Sequence, residues 1–140
     1  MKLDDSLGFL LNKSAGEMKH ALETALRPYD LTPGQWAVLA RLLQQDGQTI
    51  SDIGQSLYFD RPTMSGIVRR LSKKELLRKE LDSKDRRMTR VYITESAKDI
   101  MQELPILAQG INKRALLGFS EQEATELKGF LRRVLQNMTT

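Results

Sequence analysis

Between residues 61 and 90 the chain carries 11 Lys or Arg against 4 Asp or Glu, whereas residues 1–60 hold 5 against 8 and residues 91–140 hold 6 against 6. A cationic surplus confined to one thirty-residue stretch is what a surface facing a polyanion needs. A solvated basic face of no particular function gives the same count. Covalent chemistry has far less to work with. There is no cysteine, His20 is the sole histidine, and no Gly-rich phosphate loop is present. A nucleophile, a tuned base, a metal site or a cofactor cradle is therefore hard to assemble. A pair of carboxylates remains, Asp82 and Asp85, but they fall in a polar turn where solvent should keep them ordinary. The expectation is a binding protein and not an enzyme, with no cofactor and no metal.

The elements around these residues decide how the charge is presented. After the Tyr58-Phe59 turn, Asp60 is placed to cap a helix that opens at Arg61. Met64, Ile67, Val68 and Leu71 form the apolar stripe of that helix. Left over are Arg61, Thr63, Ser65, Gly66, Arg69, Arg70 and Lys73. Small hydroxyl and backbone-near positions at the N-terminal end, with Arg and Lys farther along, suit a helix laid in the major groove of a duplex. An ordinary exposed helix face has the same make-up. From Leu76 the period changes: Leu77–Leu81 and Arg90–Thr94 each read as a strand, joined by the charge-dense segment Asp82 to Thr89. An arm tipped with arginine is drawn toward the concentrated negative potential of a narrow minor groove, and a neighbouring carboxylate can aim the guanidinium. That reasoning assigns Arg87 to the minor groove, Asp85 to positioning it, and Lys84 and Arg86 to phosphates. The competing reading is a surface turn with incidental ion pairs, each worth little.

The remaining segments supply the frame. Leu7, Leu10, Leu11, Met18, Leu22 and Leu26 recur at helical spacing, so a long first helix is expected from about Ser6 to Arg27, stopped by Pro28. Thr32-Pro33-Gly34-Gln35 is a capping box opening a second helix that buries Trp36, Leu39, Leu42 and Leu43. Thr49-Ile50 can form a short strand, and Ser51 can cap a brief third helix before the Tyr58-Phe59 turn. Thr94 can cap a fifth helix running through Ala97, Ile100, Met101, Leu104, Leu107 and Ile111, bent at Pro105. Ser120-Glu121-Gln122-Glu123 is a second capping box, opening a last helix with Leu127, Leu131, Val134, Leu135 and Met138 on one side.

Two short helices followed at once by a hairpin make a helix-turn-helix with a wing. The expected fold class is mainly α with a small β-hairpin wing, flanked by long N- and C-terminal helices. At 140 residues the chain is one domain, with residues 32–94 as a nucleic-acid-binding lobe and 1–31 and 95–140 as dimerisation helices. The terminal stripes are longer than such a lobe can cover, so a two-fold homodimer is expected to hide them. It would set two recognition helices one duplex turn apart, about 34–36 Å, on a pseudo-palindromic site.

At this point the residues resemble a known family. Asp85-Arg86-Arg87-Met88-Thr89-Arg90-Val91-Tyr92-Ile93-Thr94 is similar to the D-x-R-x5-L-T wing signature of MarR/SlyA-type regulators, with Ile93 in the Leu position. Leu31 to Leu39 resembles the start of that family's second helix, and Asp60-Arg61-Pro62-Thr63 through Leu71-Ser72-Lys73-Lys74 resembles its recognition helix. The similarity runs in order along nearly the whole chain. It implies a winged helix-turn-helix transcriptional regulator, a ligand-responsive repressor acting as a homodimer on double-stranded operator DNA. It also implies a small aromatic or anionic effector held between the dimer helices and the DNA-binding lobe, where Trp36 and His20 are candidate pocket residues. On residue type alone, a core tryptophan and a surface histidine account for both. One departure stands out: Glu75 occupies a position where the family commonly ends its recognition helix with glycine.

No apolar run approaches the roughly 20 residues that span a bilayer, and the N-terminus is acidic where a signal peptide is basic, so a cytoplasmic protein with no membrane partner is expected. The rival to operator binding is a non-catalytic helical interaction module whose basic patch meets an acidic partner or a membrane surface. Preference among duplex sequences separates the two.

Overall fold

The computed structural model describes residues 1–140. In chain order the elements are α1 (Leu7–Leu26), α2 (Pro33–Gln44), α3 (Ile50–Leu57), α4 (Arg61–Lys73), β1 (Leu77–Leu81), β2 (Thr89–Ile93), α5 (Glu95–Met101), α6 (Leu104–Ala115) and α7 (Glu121–Met138). Short 3₁₀ turns lie at Leu3–Asp5 and Arg27–Tyr29. The strands pair antiparallel, Leu77 opposite Ile93 through Leu81 opposite Thr89. No helix is long and apolar enough to cross a membrane.

Local chemistry starts most of these helices where the residues called for it. Gln35 N donates to Thr32 Oγ1 (3.2 Å) and Thr32 N donates back to Gln35 Oε1 (3.3 Å), closing the capping box of α2. Ser120 and Glu123 close a second one at α7. Asp60 accepts from Thr63 N at 2.8 Å and caps α4. These bonds satisfy N–H groups that a helix start leaves without partners.

Five expectations need correction. The third helix is capped by Thr49 and not by Ser51: Thr49 Oγ1 accepts from Asp52 N at 3.1 Å, and the helix begins at Ile50. The strand expected at Thr49-Ile50 reduces to a single antiparallel bridge, Thr49 to Arg90. Strand β2 ends at Ile93, because Thr94 turns away to cap α5, accepting from Ala97 N at 3.3 Å. The fifth helix is two helices. Pro105 cannot supply the N–H that would continue α5, and it sits instead in the first turn of α6, where no N–H is required. The first helix likewise gives way at Leu26 to the 3₁₀ turn that carries Pro28.

The core is one cluster of 17 buried apolar residues running from Leu26 to Leu104. Leu39, Leu42, Ile53, Met64, Val68, Leu71, Leu77 and Val91 sit at its centre, so α2, α3, α4 and the hairpin share one apolar interior. Trp36 is half-buried against this cluster. Helices α3 and α4 come so close that a Cβ on Gly54 would meet Met64 Cγ at 2.9 Å and the Phe59 carbonyl at 3.4 Å, so any side chain there would push the two helices apart. By contrast, α7 has no buried residue.

Candidate nucleic-acid interface

Helix α4 is held against α2 and α3 by its buried stripe Met64, Ile67, Val68 and Leu71, and turns Arg61, Thr63, Ser65, Arg69, Arg70 and Lys73 outward, all exposed. Gly66 is different: it is buried, and Arg70 Nη1 lies 3.0 Å from where its Cβ would stand. Its place in the sequence put it on the outward face, but the Arg70 side chain covers it. Arg70 and Lys73 fall in the last turn, where cations offset the negative end of the helix dipole. Hydrogen bonds from Thr63 hold the Asp60 carboxyl below the usual carboxylate range, so the cap keeps its charge further into acid than a free aspartate would.

The turn out of α4 carries Glu75 where the family commonly has glycine. Glu75 takes φ 61°, the left-handed conformation that glycine adopts without strain. Glu75 N donates to Ser72 O (3.0 Å) and Leu76 N to Leu71 O (2.9 Å), capping the last carbonyls of the helix. Thr94 Oγ1 donates to Glu75 O at 2.8 Å and fixes this turn from the far side of the hairpin. Lys74 adds a further tie: its Nζ donates to Gln35 Oε1 (3.0 Å) and to the Asp30 carbonyl, joining the end of α4 to the start of α2.

The wing tip is built around two carboxylates. Arg87 donates to Asp85 through Nε (3.0 Å to Oδ1) and Nη2 (3.1 Å to Oδ2), a two-pronged ion pair, and its backbone N–H reaches the same Oδ1 at 3.1 Å. The Arg87 side chain is nevertheless 91 % exposed, so its charge is aimed without being hidden. The Arg87 guanidinium holds the Asp85 carboxyl below its ordinary range, and Asp85 in turn raises the pKa of Arg87. Lys84 and Arg86 are exposed beside it. Between the wing and the helix pair lies an open cleft of about 770 Å³, bordered by Ser51, Gln55, Asp60, Arg61, Ser65 and Arg87 among others. The N-terminal turns of α3 and α4 and the wing arginine thus converge on one concave face.

The expectation that solvent keeps the Asp82 carboxyl ordinary needs correction. Asp82 is buried, and it accepts from the backbone N–H groups of Lys84 (3.1 Å) and Asp85 (2.8 Å) and from Arg90 Nε (2.6 Å). The Arg90 guanidinium and these N–H groups hold its carboxyl below the usual range. The D-S-K-D spacing was the available signal, since an aspartate two and three residues before free N–H groups closes an Asx turn. The two pocket candidates do not meet. Exposed His20 borders a groove of about 480 Å³ between α1 and α6, with Glu17, Thr24, Ile106, Leu107 and Arg114 among its neighbours, and Trp36 takes no part in it.

Helices α3 and α4 joined by a tight turn, with the hairpin immediately after, define a winged helix-turn-helix protein. A family model, "MarR family", matches residues 31–89, the stretch from the start of α2 to the wing tip. The chain is 30% identical over 137 residues to the uncharacterized HTH-type transcriptional regulator YwaE of Bacillus subtilis, covering 96% of this chain and 80% of that protein. A probable transcriptional regulator from Pseudomonas aeruginosa superposes with a TM-score of 0.88 at 30% identity, over 95% of this chain and 99% of that one. The Staphylococcus aureus MepR–DNA complex superposes at 0.87 with 27% identity, over 94% and 98%. The chain belongs to the MarR family of transcriptional regulators.

Proposed function

We propose that the protein is a sequence-specific regulator that binds double-stranded operator DNA as a homodimer, with residues 32–94 as the DNA-binding lobe and 1–31 and 95–140 as dimerisation helices. The observation that carries this reading is the shared face of α4 and the wing. Arg61, Thr63, Ser65, Arg69, Arg70 and Lys73 stand free on a helix whose other side is locked into the core, and beside them Arg87 is aimed by Asp85. In this reading α4 lies in the major groove, with Thr63, Ser65 and Arg69 toward base edges and Arg61, Arg70 and Lys73 nearer phosphates. Arg87 enters the minor groove, and Lys84 and Arg86 contact the backbone. Gly66 acts by allowing close approach once Arg70 swings to the DNA. That MepR, a relative in fold and sequence, was crystallised on DNA supports the same use of the scaffold.

The homodimer reading is supported by α7, whose apolar residues Leu127, Phe130, Leu131, Leu135 and Met138 all stand exposed in the single chain. A second copy supplies a matching surface by symmetry. Regulation by a small aromatic or anionic effector fits the α1/α6 groove better than any space beside Trp36, because His20 and Arg114 flank an apolar wall there. Repression follows where the operator overlaps a promoter. The protein acts in the cytoplasm, where its operator is.

Selection of bound duplexes from a random pool by the purified protein tests the reading. A pseudo-palindromic consensus bound about 10³–10⁷-fold more tightly than unrelated DNA is expected. Arg87→Ala should weaken that binding and reduce the slope of log affinity against log salt by about one unit, with no change in the unfolding midpoint. A protein indifferent to duplex sequence would instead be the interaction module with a basic patch.

A further inference from the structure

Asp82 is the one acidic side chain of the molecule that is buried, and the contact that shields it leads away from the tip. A two-stranded hairpin has little stability of its own, so the wing must lean on the rest of the lobe. It does so at the segment 46–49, the connection between α2 and α3. Ile93 N donates to Asp46 Oδ1 (2.9 Å), Val91 N donates to Gln48 O (2.9 Å), and Arg90 bridges to Thr49. All three fix the backbone of β2. None reaches the tip turn, where Arg87 is mounted.

Arg90 makes that connection. Its Nε donates to Asp82 Oδ1 at 2.6 Å and its Nη1 donates to the Gly47 carbonyl at 2.7 Å. On the other side, Asp82 Oδ2 accepts from Lys84 N and Asp85 N, closing the turn that presents Asp85 and Arg87. The acceptor at the far end is itself held in place. Gly47 has φ 73°, and a Cβ there would strike the Tyr92 ring at 2.9 Å, so only glycine puts that carbonyl where it is. One planar guanidinium spans the two acceptors in a fixed geometry, which an ammonium on a flexible stem cannot reproduce.

We propose that Arg90 is a positioning residue for DNA binding: by joining the Asp82 carboxylate to the Gly47 carbonyl, it sets where the wing tip and Arg87 stand relative to α4. The inference rests on the wing reading given under the proposed function. It requires that Arg90 act through Arg87 and not through a phosphate of its own. Arg90→Lys keeps the charge and removes the two-point span, and Arg90→Gln removes the charge as well.

The measurement is affinity for the selected operator across a salt series, for Arg90→Lys and Arg90→Gln, each alone and combined with Arg87→Ala. Arg90→Lys should weaken binding on the order of tenfold, and the loss should disappear when Arg87 is already alanine. Any lowering of the salt slope in either Arg90 variant should likewise disappear when Arg87 is already alanine. Losses that multiply in the double variant would overturn the proposal, and so would a slope in Arg90→Gln with Arg87→Ala about one unit below that of Arg87→Ala alone, which marks a phosphate contact of Arg90's own. If Arg87→Ala alone leaves affinity unchanged, the wing reading itself fails and this inference falls with it. Should either Arg90 variant lower the unfolding midpoint enough to cloud the comparison, Asp82→Asn cuts the same link from the other end and must show the same loss of effect beside Arg87→Ala.

Discussion

The lobe from α2 to the wing and the terminal helix α7 are built on the same amphipathic helix chemistry, yet they end in opposite states. Leu39, Leu42, Ile53, Leu71 and Val91 are fully enclosed. On α7 the capping box is complete and the apolar stripe is equally regular, but Phe130 is 56 % and Leu135 45 % exposed. Local signals start a helix; burial needs a second surface. The lobe carries its own second surface in the facing sides of α2, α3, α4 and the hairpin, and α7 does not.

The sharpest way to break this contrast is to charge α7. Phe130→Asp with Leu131→Asp should abolish dimerisation, seen as a halved mass in sedimentation equilibrium, while the lobe keeps its cooperative unfolding. Operator affinity should drop by about 10²–10⁴, the range that joining two binding units provides. A variant that remains dimeric would place the interface elsewhere. Within the lobe, Thr63→Ala and Arg69→Ala leave the packing of α4 alone and should each change base preference, costing about 1–3 kcal/mol where a bidentate base contact is lost. Uniform losses across all sequences would reduce both to phosphate contacts. The smallest effect is expected with pH. Asp60, Asp82 and Asp85 all have folded pKa values below their ordinary carboxylate range. Their contribution is therefore present above the unfolded pKa, about 4, and is lost as pH falls through the lower folded values. Amide exchange at Thr63, Lys84 and Asp85 should accelerate, relative to its intrinsic rate, on acidification below about pH 4, with α7 amides as the internal control. Unchanged relative protection at the wing tip would contradict the ion pairs described.

Much of the site was readable in advance because its determinants are local. Asp60 caps α4, Met64 to Leu71 is its buried stripe, and the D-x-R pair of the wing forms as expected, since each depends on residues within a turn or two. Glu75 marked the only unusual backbone turn in that stretch, and it does adopt a positive φ. What sequence reasoning missed depends on partners far along the chain. Arg90 meets Gly47 across 43 positions, and Thr49 was displaced from strand to cap because its extended backbone faces Arg90 while its hydroxyl faces the next helix. Pro105 was legible as a disruption, but whether it bends one helix or starts another depends on how α5 and α6 pack. Gly66 read as an open position because nothing in its neighbours' types shows where the Arg70 side chain comes to rest.

Thr49 has a consequence that reaches past its own two contacts. One buried residue both bridges to the wing strand and caps the helix that supports α4, so Thr49 adds a direct mechanical link between hairpin and helix pair to the contacts already described. In the proposed binding mode, a change of groove width at Arg87 would be passed through Thr49 toward the helix pair, so a duplex of the wrong shape would be disfavoured at both contacts.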